Sequence, residues 1–338
     1  MQNAGEVLFL SRSDVDSVLT ARDCLERCIE TFKWVGEGEV EQVNPVNLWL
    51  SPQEGPYGLG VMQAFPSYIK PLKIAGNKWL GAYMQNKKRG LPVISAIDII
   101  NDTETAMPLA IVDGTSVTNM RTAGHAGVGA KYLARKDSRV IAIIGCGFEG
   151  RTHLKVMNEL FNVEEVRAFD IIKEAKAQFK EEMSEELKLN IRAVDSAKEA
   201  AKGADVICMV TTAKEPVVKE EWVEPGCHVC ATFGFNDLDP DCAVGFDKWV
   251  VGWYGRDLEW IEGAEAGKMG GLKVGQFTKR NIYADLATEI IPGKKAGREA
   301  DEERTVMTHM GMPALDAAVA ALVYEKAKEK GSNMKEKE

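Results

Sequence analysis

The segment Gly145-Cys146-Gly147-Phe148-Glu149-Gly150 has the spacing of a loop that cradles a diphosphate. The first glycine allows a tight turn and the second lets backbone approach a pyrophosphate. The third lets a helix pack close to a strand. A helix opening at such a loop offers unpaired N–H groups and the positive end of its dipole to anionic oxygens. A glycine hexad alone is a weak signal, because glycine clusters punctuate many turns. Asp170 strengthens it, lying about twenty residues beyond the last glycine, where a carboxylate accepts hydrogen bonds from an adenosine ribose. That carboxylate would repel a 2′-phosphate, and Ile171 and Ile172 follow it rather than an arginine. The pattern therefore points to NAD, with Gly145, Gly147, Phe148, Glu149, Gly150, Asp170 and Ile171 as its contacts.

Other reactive side chains carry less. Cys227-His228-Val229-Cys230 has CxxC spacing, but no second pair stands at zinc-finger distance. In a strand its two cysteines point to opposite faces, which suits packing. Cys24 and Cys28 stand one helical turn apart and read as core. His125 and His153 flank helical segments without an HExxH pattern, so no metal site is expected. Trp249, Trp253, Tyr254 and Trp260 read as core or interface packing.

The elements that position the hexad alternate between strand and helix. Val140–Ile144 is a short, wholly apolar run, as a strand buried on both faces of a parallel sheet should be. Residues 150–160 then place Leu154, Met157, Leu160 and Phe161 at helical spacing. Residues 166–169, 191–194, 206–210, 229–233 and 249–251 read as further strands. Such alternation implies a Rossmann-type, doubly wound parallel sheet. Before residue 120 the pattern changes. Residues 15–32 read as an amphipathic helix with Asp14 as N-cap, and residues 57–63 and 93–100 as strands of a separate α+β domain. An alanine-rich helix at 312–328 is expected to return to that first domain. The dinucleotide domain, 121–307, would thus be inserted in an α+β domain made of 1–120 and 308–330, with 331–338 a frayed tail.

Bulk properties bound the rest. At 338 residues the chain is long enough for two cores. A net charge of −9 without a basic patch argues against nucleic-acid binding. No apolar run approaches the roughly twenty residues of a membrane span. The first residues lack the pattern of a signal peptide, and seven scattered cysteines suit reduced thiols in a cytoplasm.

Several segments resemble, in order along nearly the whole chain, the ornithine cyclodeaminase/mu-crystallin family. They are Gly76-Asn77-Lys78-Trp79, Gly90-Leu91-Pro92, Asn101-Asp102-Thr103-Glu104-Thr105, the run from Pro108 to Gly114, Arg121-Thr122-Ala123-Gly124 and Lys131-Tyr132-Leu133-Ala134. Gly297-Arg298 and Gly311-Met312-Pro313-Ala314-Leu315-Asp316 resemble its closing motifs. The resemblance implies an N-terminal domain that forms a homodimer, an inserted Rossmann domain and an amino-acid-like substrate. It also implies that Lys78 faces the substrate carboxylate and reacting nitrogen, and that Arg121 lies near substrate or cofactor phosphate. Thr211 and Gly234 join the cofactor contacts on the same basis.

Three positions depart from the family pattern. Asn47 stands where an arginine usually clamps the substrate carboxylate, and a neutral amide cannot form that charge-assisted pair. In Gly234-Phe235-Asn236-Asp237 either Asp237 fills the family's acid position or Asn236 has replaced the acid. His309 stands where a small hydroxylic residue is common, and an imidazole there could act as a general acid or base. Lys78, Asp237 and His309 are thus the catalytic candidates, with Asn47, Lys78 and Arg121 as substrate contacts. The leading expectation is an NAD-dependent oxidoreductase acting on an amine/imine pair. A cyclodeaminase that uses NAD catalytically is the first alternative, and a ligand-binding protein without turnover the second.

Overall fold

In the computed structural model, which describes residues 6–50, 60–213, 215–232, 238–239, 241–265 and 278–335, the chain divides into two units. The first comprises Met1–Arg121 and Met312–Glu338, the second Thr122–Gly311. Arg121 thus falls in the first unit rather than opening the second. Residues 308–311 stay with the second, because the strand that includes Thr308 and His309 hydrogen-bonds into the second unit's sheet.

The first unit opens with β1 (Leu8–Leu10), α1 (Arg12–Val18) and α2 (Ala21–Glu37). One helix with Asp14 as its cap was the expectation, and the structure corrects it. Ser11 caps α1, and Asp14 sits three residues in, closing a capping box by accepting the Ser11 N–H at 2.8 Å. Thr20 accepts the Asp23 N–H to cap α2, so its hydroxyl starts a second helix instead of riding inside one long helix. The strands β2 (Val40–Gln42), β3 (Val46–Trp49), β4 (Val61–Ile69), β5 (Ile74–Ala82), β6 (Ile94–Asp102) and β7 (Pro108–Asp113) follow. Residues 57–59 of the strand expected at 57–63 lie outside the described residues. The sheet runs β1-β7-β6-β5-β4-β2 with β3 beside β4, antiparallel except where β1 joins β7.

Alternation along these strands buries one face. Phe65 and Ile69 on β4, Ile74 and Leu80 on β5, Ala96 and Ile100 on β6, and Ala110 and Val112 on β7 all point inward. The C-terminal helix, Pro313–Lys335, covers them and is itself buried along its first ten residues. Its alanines permit close approach: a Cβ on Gly76 of β5 would lie 2.6 Å from the Ala317 methyl. The helix therefore rests directly on β5, and Gly76→Ala would push the two apart.

The helix α3 (Gly114–Leu133) begins in the first unit and ends in the second, which continues through β8 (Val140–Ile144), α4 (Phe148–Leu160), β9 (Glu165–Phe169), α5 (Lys173–Leu187), β10 (Ile191–Ala193), α6 (Ala197–Ala201) and β11 (Val206–Met209). Then come β12 (His228–Thr232), α7 (Cys242–Gly245), β13 (Lys248–Val251), α8 (Tyr254–Glu265), β14 (Ile282–Asp285) and β15 (Thr305–His309). All eight strands are parallel, in the order β10-β9-β8-β11-β12-β15-β13-β14. This is the doubly wound sheet expected, with β14 and β15 added. Apolar cores lie on both faces, and Cys227 and Cys230 pack into opposite ones.

Candidate active site

In the second unit the glycine loop joins β8 to α4. Gly145 has φ +104°, a conformation that side-chain-bearing residues rarely adopt, and a Cβ there would lie 2.5 Å from the Val210 carbonyl oxygen. A Cβ on Gly150 would lie 2.2 Å from the Gly145 carbonyl oxygen, so α4 can start this close to β8 only with glycine. At Gly147 the outcome is opposite: nothing stands within 4 Å of the missing Cβ. Gly147 is also the N-cap of α4 and provides no side-chain acceptor, so the helix presents its first N–H groups beside open backbone. Asp170, just after β9, accepts the Cys146 N–H and the Ile172 N–H, each at 2.8 Å. The carboxylate is thereby tied to the loop, with a lone pair on each oxygen still able to accept. Ile171 beside it is 86% exposed. An open second glycine, an uncapped helix start and a pinned carboxylate together fit an adenine dinucleotide.

In the first unit, buried charge gathers on the inward face of the sheet. Lys78 on β5 lies opposite Phe65 on β4 and Asp98 on β6, so the three form a row across the strands. The Lys78 ammonium lies 4.3 Å from the centre of the Phe65 ring and 2.7 Å from Asp316 Oδ1. Arg121 on α3 donates from Nε to the same Oδ1 at 2.6 Å. Asp316 itself stands in the first turn of the C-terminal helix. All four side chains are buried. Among the described residues, Arg121 Nη1, Asp316 Oδ2 and both Asp98 oxygens have no hydrogen-bond partner. Burial, aided by the Arg121 charge, pulls the Lys78 pKa down to about 8 against the opposing pull of Asp316 and Asp98. Burial, reinforced by the Asp316 charge, holds the Asp98 carboxyl well above the usual carboxylate range.

Asn47 lies on the same face of the sheet. Its Oδ1 accepts from Gln63 Nε2 at 2.6 Å, and Gln63 stands two residues before Phe65 on β4. The pair is neutral and linked by this hydrogen bond.

His309 ends β15 and belongs to a buried string of polar groups in the second unit. His153 Nδ1 donates to the Glu149 carbonyl oxygen at 2.8 Å, and its Nε2 lies 3.0 Å from the Thr232 hydroxyl. That hydroxyl lies 3.1 Å from His309 Nε2. His125 stacks on His309 with ring centres 4.1 Å apart. A Cβ on Gly252 would lie 2.2 Å from His125 Nε2, so glycine makes room for the pair. Asp257 fastens the surroundings, accepting the N–H groups of Gly252 at 2.8 Å and Met310 at 2.7 Å.

The residues expected from sequence therefore fall into three groups. Gly145, Gly147, Phe148, Glu149, Gly150, Asp170 and Ile171 are brought together around the ends of β8 and β9. Lys78 and Arg121 meet on one carboxylate oxygen. His309 stands with His153, Thr232 and His125, in the other unit from Lys78. Thr211 follows β11, where its hydroxyl accepts the Ala213 N–H at 3.0 Å. Gly234, Asn236 and Asp237 lie outside the described residues. Sequence reasoning missed the partners. Asp98 carried a usable signal, a charge in the inward register of the strand run Ala96-Ile97-Asp98-Ile99-Ile100. Asp316 entered only as part of a closing motif, with nothing local to tie it to Lys78.

The ornithine cyclodeaminase/mu-crystallin family matches residues 6–331. An alanine dehydrogenase of Archaeoglobus fulgidus is 32% identical over 98% of each chain. The structure of Thermococcus litoralis Delta(1)-pyrroline-2-carboxylate reductase in complex with NADH and L-proline superposes with a TM-score of 0.86. It is 34% identical and covers 96% of this chain and 98% of its own. An archaeal alanine dehydrogenase dimer with bound NAD gives 0.84 at 31% identity, covering 96% of this chain and 97% of its own.

Proposed function

The chain belongs to the ornithine cyclodeaminase/mu-crystallin family, and on that premise we propose an NAD-dependent oxidoreductase acting at the carbon–nitrogen bond of an amino-acid-like amine or imine. The observation that carries the substrate side of this reading is the shared oxygen of Asp316. Two buried cations converge on it, and Arg121 Nη1 is left as a further donor. Burial disfavours ionisation of Asp98, so the balance of the cluster tilts positive, towards a substrate carboxylate.

NAD, when bound, supplies the carbon that accepts or returns the hydride. The chain's own groups do the remainder. Gly147 and the first N–H groups of α4 hold the diphosphate, and Asp170 accepts from the ribose. Lys78 and Arg121 bind the substrate carboxylate and fix the orientation of its Cα. Oxidation of an amine to an imine breaks the Cα–H bond with its electron pair and one N–H bond, while the C=N π bond forms. His309 takes the N–H proton, and Asp237 is a second candidate for that role. Asn47 contributes no charge, so the carboxylate rests on Lys78 and Arg121 alone.

A homodimer and a cytoplasmic location complete the reading. Away from the C-terminal helix, Val46, Ala64, Trp79 and Ile97 form a row across β3, β4, β5 and β6. Val46 is 56% and Ile97 42% exposed, an apolar strip suited to a second copy of the chain. All seven cysteines are free and buried, as thiols in a reducing compartment are.

The test is a panel of amino acids with NAD, and of 2-oxo acids with ammonia or amines plus NADH, following NADH absorbance and free ammonia together. Net interconversion of NAD and NADH is expected. Ammonia release without net absorbance change would assign the cyclodeaminase reaction instead. Failure of calorimetry to detect NAD binding would remove the hydride carrier and with it the proposal.

A further inference from the structure

The hydrogen bonds around Thr232 have only one consistent direction. A carbonyl oxygen can only accept, so at 2.8 Å from Glu149 O the Nδ1 of His153 must carry a proton. Burial pulls the His153 pKa down to about 4, so the ring is neutral and its Nε2 holds a lone pair. That nitrogen, 3.0 Å from Thr232 Oγ1, must accept the hydroxyl proton. Thr232 has one such proton and has now spent it. Towards His309, 3.1 Å away, the hydroxyl can only accept, so His309 Nε2 must be the donor. The reverse direction would set the His153 Nδ1 lone pair against the Glu149 carbonyl, or require a charged imidazole where solvent is excluded.

We propose that His153 and Thr232 are positioning residues that hold His309 with its Nε2 protonated and its Nδ1 as the basic nitrogen. The inference rests on the proton-accepting role given to His309 above and refines it: the proton from the substrate nitrogen is taken at Nδ1. Two fixtures keep the ring in place for this. Its face lies against His125, with the planes 26° apart, and the chain just beyond it is held by the Met310 N–H to Asp257. The string begins at Glu149 in the first turn of α4, so the helix that opens at the glycine loop also sets the protonation pattern at the end of β15.

The test uses full-length protein, selectively 15N-labelled at histidine and free of ligand, at pH 8. Long-range 1H–15N correlation spectra distinguish protonated from bare ring nitrogens, with His153→Gln and His309→Gln providing assignments. The expected pattern is His153 protonated at Nδ1 and His309 at Nε2. In the nearly isosteric Thr232→Val the His309 tautomer ratio should shift by roughly fivefold to tenfold, the equivalent of one neutral hydrogen bond. Thr232→Ser should restore it. A bare His309 Nε2 in the wild type, or an unchanged ratio in Thr232→Val, would overturn the proposal. None of these readouts needs NAD or substrate, so they stand apart from the oxidoreductase reading. Undiminished turnover in His309→Gln would strike the catalytic role of His309 alone.

Discussion

The two units bury polar groups in contrasting ways. The first buries ions, Lys78 and Arg121 with Asp316 between them, beside an Asp98 carboxyl whose ionisation burial opposes. The second also buries ionisable groups such as Lys248 and Asp285, but around His309 it gathers imidazoles. At His153, as at His228 elsewhere in the unit, desolvation pulls the pKa down, to about 4 and about 3 respectively. The difference is one of task. An ion cluster shielded from water is an attractive field for one further anion, but removing a member leaves an uncompensated charge. A neutral string carries no net field, yet each member dictates which neighbour donates. The first arrangement recognises charge and the second assigns protons.

Substitutions can break this contrast, the most damaging being at Lys78. Lys78→Ala should lower turnover by about a thousandfold or more, as loss of a group that orients the reacting centre does. The calorimetric affinity for NAD should stay within about twofold. Wild-type turnover would exclude Lys78 from the site. Asp316→Ala tests the ion cluster as a structural unit. It strands both cations and should reduce unfolding free energy by about 3–5 kcal/mol in urea titrations. A loss below about 1 kcal/mol would mean that water reaches the cluster. Asp170→Ala acts on the other unit and should raise the Kd for NAD about tenfold while leaving stability nearly unchanged.

Two pH experiments sharpen the comparison. Lys78 is charged below about pH 8 and loses its proton above it, so affinity for a carboxylate ligand should fall as pH rises through that value. Flat affinity from pH 7 to 9 would show that Arg121 alone holds the anion. His228 gives the opposite sign, and a smaller effect, in stability. The unfolded chain takes up its proton near the ordinary pKa of 6.5, while the folded chain resists until about 3. Stability from this group is therefore complete above pH 6.5 and is lost as pH falls through that interval. Unfolding free energy of His228→Gln should accordingly depend less on pH between 6.5 and 5 than that of the wild type.

What the sequence revealed follows the same division. The dinucleotide cradle was legible because its parts are contiguous: strand, glycine loop, helix, strand and Asp170 follow one another in fixed order. β15 was not, since Thr305-Val306-Met307-Thr308-His309 is short, half polar, and enters the sheet between β12 and β13 rather than at its end. Lys78 and Arg121 were found through family resemblance, but the carboxylate that joins them lies 195 positions beyond Arg121, and no periodicity connects such distant residues. Thr232 escaped notice, and His153 was weighed only as a metal ligand, for another reason. A hydroxyl and an imidazole at ordinary strand and helix positions look like packing until hydrogen-bond directions are assigned.

The return of the C-terminal helix to β5 also constrains how the molecule is made. During synthesis the strand bearing Lys78 emerges long before Asp316, and the whole second unit is produced in between. A nascent chain that has not yet exposed residues 313–335 has an uncovered first sheet and an unpaired lysine facing inward, while the parallel sheet can already close. Partial proteolysis of ribosome-stalled intermediates is therefore expected to spare the second unit before the first. Equal protection of both once residues up to 311, but not 313–335, have emerged would contradict this order.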